Sequence, residues 1–154
     1  KKFNAVAHSM GNLTLAYYVL DNGQNKKLPQ LQKQVDLAGH YNGIIGLDDQ
    51  AHQMQLEENG APKQMNATYQ ELLKLDDSYP KKQVAVLNIY GDLDDGSDSD
   101  GRVSNNSSRS EKYLLQDVYR SYQELEIKGE GGQHSKLHEN RQVDRAIINF
   151  IWKK

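Results

Sequence analysis

The period of the apolar positions changes several times along the chain. Ala5-Val6-Ala7 is a short apolar run that ends at His8-Ser9, and a different pattern starts at once. Leu13, Ala16, Tyr17 and Leu20 fall at i, i+3, i+4 and i+7, one face of a helix. After a polar turn, Asp21 to Lys27, the segment Val35-Asp36-Leu37-Ala38 predicts a short strand, which Gly39-His40-Tyr41-Asn42-Gly43 breaks. Residues Leu47 to Asn59 and Ala67 to Leu75 predict two amphipathic helices separated near Pro62, the second carrying Tyr69, Leu72, Leu73 and Leu75. Val84 to Gly91 is apolar nearly throughout, as in a strand covered on both faces. Ser107 to Gln116 predicts a helix with Tyr113 and Leu114 inward, and Tyr122 to Ile127 alternates like a half-buried edge strand. Gly129 to Ser135 predicts a flexible loop. A last helix carries the stripe Val143, Ala146, Ile147, Phe150 and Ile151.

Strand and helix therefore alternate, which predicts an α/β domain: a mostly parallel sheet with helices on both faces. The chain of 154 residues is long enough for one domain with a real core, and shows no internal repeat. A hydrophobic fraction of 36% and a mean hydropathy of -0.86 make that core lean and the surface polar. The net charge of -2 and the lack of a basic stripe argue against a nucleic-acid partner. With no cysteine, disulfides, thiolate chemistry and cysteine-bound zinc are excluded. No apolar run approaches the roughly 20 residues of a membrane-spanning helix.

The junction at Ser9 changes the picture from fold to chemistry. Small residues, Ala7 and Gly11, stand two places on either side of it, between a strand and a helix. Such a turn is too sharp for large side chains, pushes the hydroxyl out above the sheet edge and aims helix N-terminal N–H groups at the same spot. The plain alternative is a serine N-cap. A serine hydroxyl needs a histidine to take its proton and a carboxylate to orient that histidine. The chain offers both, in order and each after a strand candidate: an aspartate-rich loop from Asp92 to Asp100, then His134. Among the five aspartates, Asp100, Asp98 and Asp94 are the candidates. His134, behind a glycine-rich loop, is preferred over His138. His40 reads as a surface group of its loop, with a place near substrate as the other reading, and His8 as a packing residue turned from the chemistry. The acidic loop does not fit an EF-hand, since Gly96 stands where the first ligand belongs and Ser107 where the bidentate glutamate belongs. An irregular calcium site or a solvated acidic loop remain the other readings.

Ala-His-Ser-Met-Gly around Ser9, Asn-Ile-Tyr-Gly-Asp with Ser-Asp-Gly-Arg-Val around Asp100, and Gln-His-Ser-Lys-Leu-His-Glu-Asn around His134 resemble a known set. They resemble the lipase-like cell-surface branch of the alpha/beta hydrolases of Gram-positive bacteria, with Ala7 in the first glycine position of the nucleophile elbow. The likeness runs from the elbow to the final helix. It implies a three-layer alpha/beta hydrolase fold and a serine esterase or lipase-like activity on a small-molecule or lipid ester, at the cell surface, with no cofactor. By position it implies Ser9 as nucleophile, Asp100 as acid, His134 as base and Met10 as a backbone donor to the oxyanion hole. It also implies that segment 47–77 is a cap or lid, where Met54 and Met65 either line an acyl pocket or simply pack. Several strands precede the elbow in that family, whereas Lys1-Lys2-Phe3 runs almost directly into it. Residues 1–154 are thus expected to be the C-terminal portion of a hydrolase domain, pairing with an N-terminal half or self-associating, and weak in activity alone because the second oxyanion donor comes from an earlier loop. An inactive binding or surface protein on the same fold, and an amidase or peptidase, are the alternative functions.

Overall fold

One strand, β3 (Val84–Asp92), is buried at every position, and the remaining elements are arranged around it. The computed structural model describes residues 1–49 and 54–153. The other strands are β1 (Lys2–His8), β2 (Gln30–Leu37) and β4 (Tyr119–Lys128), all parallel, in the spatial order β1-β2-β3-β4. Helix α1 (Met10–Asn22) joins β1 to β2. Helices α2 (Ala67–Leu72) and α3 (Leu75–Ser78) precede β3, and α4 (Asn105–Arg109) and α5 (Glu111–Leu115) join β3 to β4. Helix α6 (Arg141–Trp152) ends the fold. A sheet that adds parallel strands in one direction through crossovers of one hand keeps its connecting helices on one face.

The side chains of β3 divide the core accordingly. Val84 and Val86 face α1, α2, α3 and α5 with Ala16, Val19, Tyr69, Leu72, Tyr79 and Leu115. Leu87 and Ile89 face α6, where Val35, Leu37, Ile127 and Val143 meet Ile147 and Phe150. In β2 the register slips: Phe3 pairs with Leu31 but Asn4 pairs with Lys33, so Gln32 is bulged out. The extra residue reverses the alternation. Leu31 packs with the α1 layer, whereas Val35 and Leu37 point to the α6 layer. Lys33 follows them. Its ammonium donates to the carbonyls of Phe150, Ile151 and Lys153 at 2.9, 2.9 and 2.8 Å, so a buried cation occupies the negative end of the α6 dipole.

Several predicted elements differ in extent. Residues 47–49 and 54–59 are not helical, and the rest of that predicted helix, 50–53, lies outside the described residues. Turn chemistry explains this: Gly60 has φ +89, Glu57 N–H donates to Ala61 O, and Leu56 bridges Pro62. The predicted 107–116 helix is two short helices, begun earlier by the Ser104 cap on Ser107 N–H and interrupted at Ser110, whose hydroxyl bonds Ser107 O. The buried face of α1 is Asn12, Ala16 and Val19; Tyr17 lies outward, with its hydroxyl donating to Glu71. Gly129 to Ser135 is not loose: it contains a 3₁₀ turn at Glu130–Gly132 and folds back on β3.

The α1-side core also encloses two carboxyl groups, Asp36 of β2 and Glu111 of α5, both at most 1% exposed. Gln34 Nε2 donates to Asp36 Oδ2 at 2.7 Å, and Tyr79 donates to Gln34 Oε1. Glu111 and the Tyr41 hydroxyl are the electrostatic neighbours of Asp36 in this site. Burial holds both carboxyls above the ordinary range, Glu111 well above it, and the neighbouring Asp36 adds to the Glu111 shift. Two carboxyls in one dry site share a proton rather than both ionise.

A carboxyl with a raised folded pKa binds more protons folded than unfolded, so its contribution to stability is full below the ordinary carboxylate range. That contribution is lost as pH rises toward the raised value, by about 1.4 kcal/mol per unit of elevation. Glu111→Gln should therefore lose less stability than the parent between about pH 4 and about pH 8 in denaturant melts. An equal loss in both proteins would show that the pair holds no extra proton.

Candidate active site

Ser9 stands between the last residue of β1 and the first of α1, and its backbone adopts φ 54, ψ -119. A non-glycine residue there costs on the order of 1–3 kcal/mol and persists only when its surroundings hold it. Two neighbours do so. Ser9 N–H donates to Leu37 O at 2.8 Å, and Asn12 Nδ2 donates to both Ser9 O (2.9 Å) and Leu37 O (2.8 Å). Asn12, 1% exposed, is a site residue that sequence reasoning missed. A signal existed: it precedes Ala16 by four residues and so shares the buried stripe of α1. The turn is less tight here than the small residues suggest, since a Cβ on Gly11 would lie 3.6 Å from that of Ala7, in ordinary van der Waals contact.

The five aspartates from the end of β3 onward separate sharply. Asp92, at the strand end, accepts from Asp94 N–H and from Asn105 Nδ2. Asp94, Asp95 and Asp98 are exposed. Asp100 is 1% exposed, and its Oδ1 accepts from Arg102 N–H at 2.9 Å and Val103 N–H at 2.7 Å. Val103, 2% exposed, anchors the turn in the protein interior. The other oxygen, Oδ2, lies 2.8 Å from His134 Nδ1, and His134 Nε2 lies 3.0 Å from Ser9 Oγ. An ionised carboxylate only accepts, so Nδ1 carries the hydrogen and Nε2 is left to accept from the serine hydroxyl. Ser9, Asp100 and His134 are thus brought together in one relay, while Asp94, Asp98 and His138 take no part in it. Among the described residues, no group of three or more histidine, aspartate or glutamate side chains could hold a metal ion.

The loop bearing His134 reaches this position through two glycines. Gly129 N–H donates to Asp92 O at 2.7 Å, and the loop then crosses β3 at Gly91. A Cβ on Gly91 would lie 1.7 Å from Gly132 O, and one on Gly132 would lie 2.1 Å from Ile127 O. Neither partner is a side chain that can swing aside.

His40 is not at the surface, as its loop composition suggests, but 6% exposed at the exit of β2. Its loop is clamped by buried serines: Ser108 Oγ donates to Gly39 O, Ser107 Oγ to Gly43 O, and Asn42 N–H donates to Ser107 Oγ. Burial lowers the pKa of His40, and the nearby His134 acts in the same direction. His8 does pack, as its position predicts, but against the rings of His134 and His138 rather than away from the site. The Met10 side chain is 67% exposed beside Ser9, and its N–H opens α1, among the first N–H groups that lack an intrahelical acceptor. Met54 and Met65 line a cavity of about 710 Å³ together with Asn42, Leu47, Asp48 and Lys63.

A family model described as alpha/beta hydrolase of unknown function (DUF915) matches residues 1–154. Among solved structures, the lin2722 gene product of Listeria innocua is similar over 99% of this chain and 58% of its own, with a TM-score of 0.81 and 24% identity. A protein of Lactobacillus plantarum WCFS1 described as a candidate cell-surface hydrolase is similar over 97% of this chain and 53% of its own, with a TM-score of 0.71 and 23% identity. The chain therefore spans little more than half the length of either. No curated protein matches.

Gly91→Ala should lower stability by about 1–3 kcal/mol or more, because the new methyl group must displace backbone. Gly11→Ala, with room at 3.6 Å, should cost far less. Thermal melts of the two variants against the parent measure this, and equal melting temperatures would refute the close-contact account.

Proposed function

Because the chain belongs to the alpha/beta hydrolases of unknown function (DUF915), we propose that it carries the nucleophile, acid and base of a serine hydrolase that cleaves carboxylic esters. The observation that carries this reading is the continuous path Ser9 Oγ–His134 Nε2 and His134 Nδ1–Asp100 Oδ2, at 3.0 and 2.8 Å. His134 takes the hydroxyl proton as Ser9 Oγ attacks the ester carbonyl carbon, and Asp100 stabilises the imidazolium that forms. The carbonyl oxygen becomes an oxyanion, to which Met10 N–H donates. Collapse breaks the bond to the alkoxy oxygen, and His134 gives that oxygen its proton, releasing an alcohol and an acyl-Ser9 ester. Water, deprotonated by the same imidazole, then frees the acid and restores Ser9.

The strained Ser9 backbone supports this role better than that of a helix cap. Its side chain makes no capping hydrogen bond, and a cap alone needs no positive φ. The segment between β2 and β3 is proposed as a cap over the substrate, with the Met54 and Met65 cavity lying within that segment. The likeness to a protein described as a candidate cell-surface hydrolase favours action at the cell surface. A second oxyanion donor comes, in hydrolases of this fold, from a loop after an earlier strand, so activity is to be measured on the intact protein.

The intact protein should hydrolyse short-chain nitrophenyl esters and be labelled at Ser9 by a fluorophosphonate probe. Ser9→Ala should abolish labelling and lower kcat by roughly 10⁴–10⁶-fold. Asp100→Asn should lower it by roughly 10³–10⁴-fold. An intact protein that neither turns over nor labels would refute the reading. Faster cleavage of matched anilides than of esters would replace esterase by amidase.

A further inference from the structure

Besides its ring, His134 presents a peptide unit, and that unit is held from both sides. Its N–H donates to Asp100 O at 2.9 Å. Its carbonyl accepts from the imidazole of His8, with Nε2 at 2.9 Å. The His8 and His134 rings lie 5.0 Å apart between centroids at 44°, and the His138 ring meets that of His8 edge-on, at 5.0 Å and 78°. His8 and Ser9 are consecutive, so one dipeptide of the elbow touches both the backbone and the imidazole of residue 134.

We propose that His8 is a positioning residue: by donating Nε2–H to the His134 carbonyl, it fixes the peptide from which the base projects toward Ser9. The proposal rests on the reading of His134 as the base. A carbonyl only accepts, so the bond requires a hydrogen on Nε2 of His8, which makes that tautomer the functional one. Burial lowers the proton affinity of His8, and the neighbouring His134 and His138 add to this, against the carbonyl bond itself. The neutral ring is therefore favoured, and a donor is placed beside the base without a second positive charge. The neighbouring ties explain why such a contact matters. Asp100 holds the N–H of residue 134 and its Nδ1, but the following segment Ser135-Lys136 is exposed. The peptide after His134 also belongs to a turn on Gln133, with Ser135 N–H donating to Gln133 Oε1 and the Lys136 and Leu137 N–H groups to Gln133 O. Those bonds stay within the turn, so without His8 the turn can shift as a unit against Ser9, and the Nε2 to Ser9 Oγ alignment is the first to loosen. A misplacement of about 1 Å at such a centre costs on the order of 100-fold in rate.

Two substitutions separate the donor from the packing. His8→Phe keeps an aromatic ring against His134 and His138 but removes the N–H, whereas His8→Gln keeps an N–H donor at similar reach without the ring. In the intact protein with a nitrophenyl ester, His8→Phe should lower kcat by about 10- to 100-fold with KM changed by no more than about twofold, and His8→Gln should recover most of the loss. In the same proteins without substrate, amide hydrogen exchange across residues 129–137 should quicken in His8→Phe and stay near the parent in His8→Gln. Should His8→Phe not fold, His8→Leu takes its place. Parent-like kcat and exchange in the variant lacking the donor would overturn the proposal, as would equal losses in the Phe and Gln variants. If the parent neither hydrolyses esters nor labels at Ser9, the functional reading falls. The exchange comparison then decides the contact alone: quickening confined to the donorless variant upholds it, and no change removes it.

Discussion

The carboxyl edge of the sheet depends on how Asp100 is held. Five bonds converge on this one residue: two backbone N–H groups on Oδ1, the His134 ring on Oδ2, the His134 N–H on its carbonyl, and its own N–H on Val103 O. With Oδ1 saturated by the turn, the carboxylate cannot rotate, and only Oδ2 faces the imidazole. The loop after β4 is thereby tied to the loop after β3 through both backbone and side chain. A carboxylate that merely neutralised charge would need none of this. One that sets the orientation of a ring needs all of it.

The alternation of strand and helix and the positions of Ser9, the acidic loop and His134 after strands were legible because each sits where an apolar run stops and glycine or turn residues begin. Asp100 was separable from its acidic neighbours through the resemblance of Ser-Asp-Gly-Arg-Val to the acid turn of the family. The burial of Val103 gives that pattern its physical basis: an apolar side chain that must be covered draws the turn inward. Much else was not legible. The 47–59 segment has helix-like spacing, but Asn59-Gly60 and Pro62 prescribe a turn, and local backbone chemistry outweighs a weak amphipathic pattern. Asn12, Lys33, Gln34 and Asp36 are buried polar residues, and a reading that counts apolar positions assigns them to the surface. The bulge at Gln32 compounds this in β2, because half the strand is out of phase with the rest.

Buried polarity is the common theme of the helix layer under the site. Asp36, Gln34 and Tyr79 form one connected group in the core, and Ser104, Ser107, Ser108 and Ser110 form another along α4. The serines take the carbonyls of the loop that leaves β2, the stretch lying between the strand ends that carry Ser9 and Asp100. A lean apolar complement thus coexists with a single defined arrangement, because hydrogen bonds that tolerate little displacement do the specifying.

Helix α6 is fastened at both extremities. At its start Asn140 caps the first turn and reaches Gly131 O of the His134 loop; at its finish three carbonyls close around Lys33. Acting as a strut between the base and the second strand, it cannot tilt or slide without breaking a cluster of charge-assisted bonds. The loop of residue 134 is thereby referenced to β2 as well as to its own strand, so a displacement at either end of the strut is felt at the other.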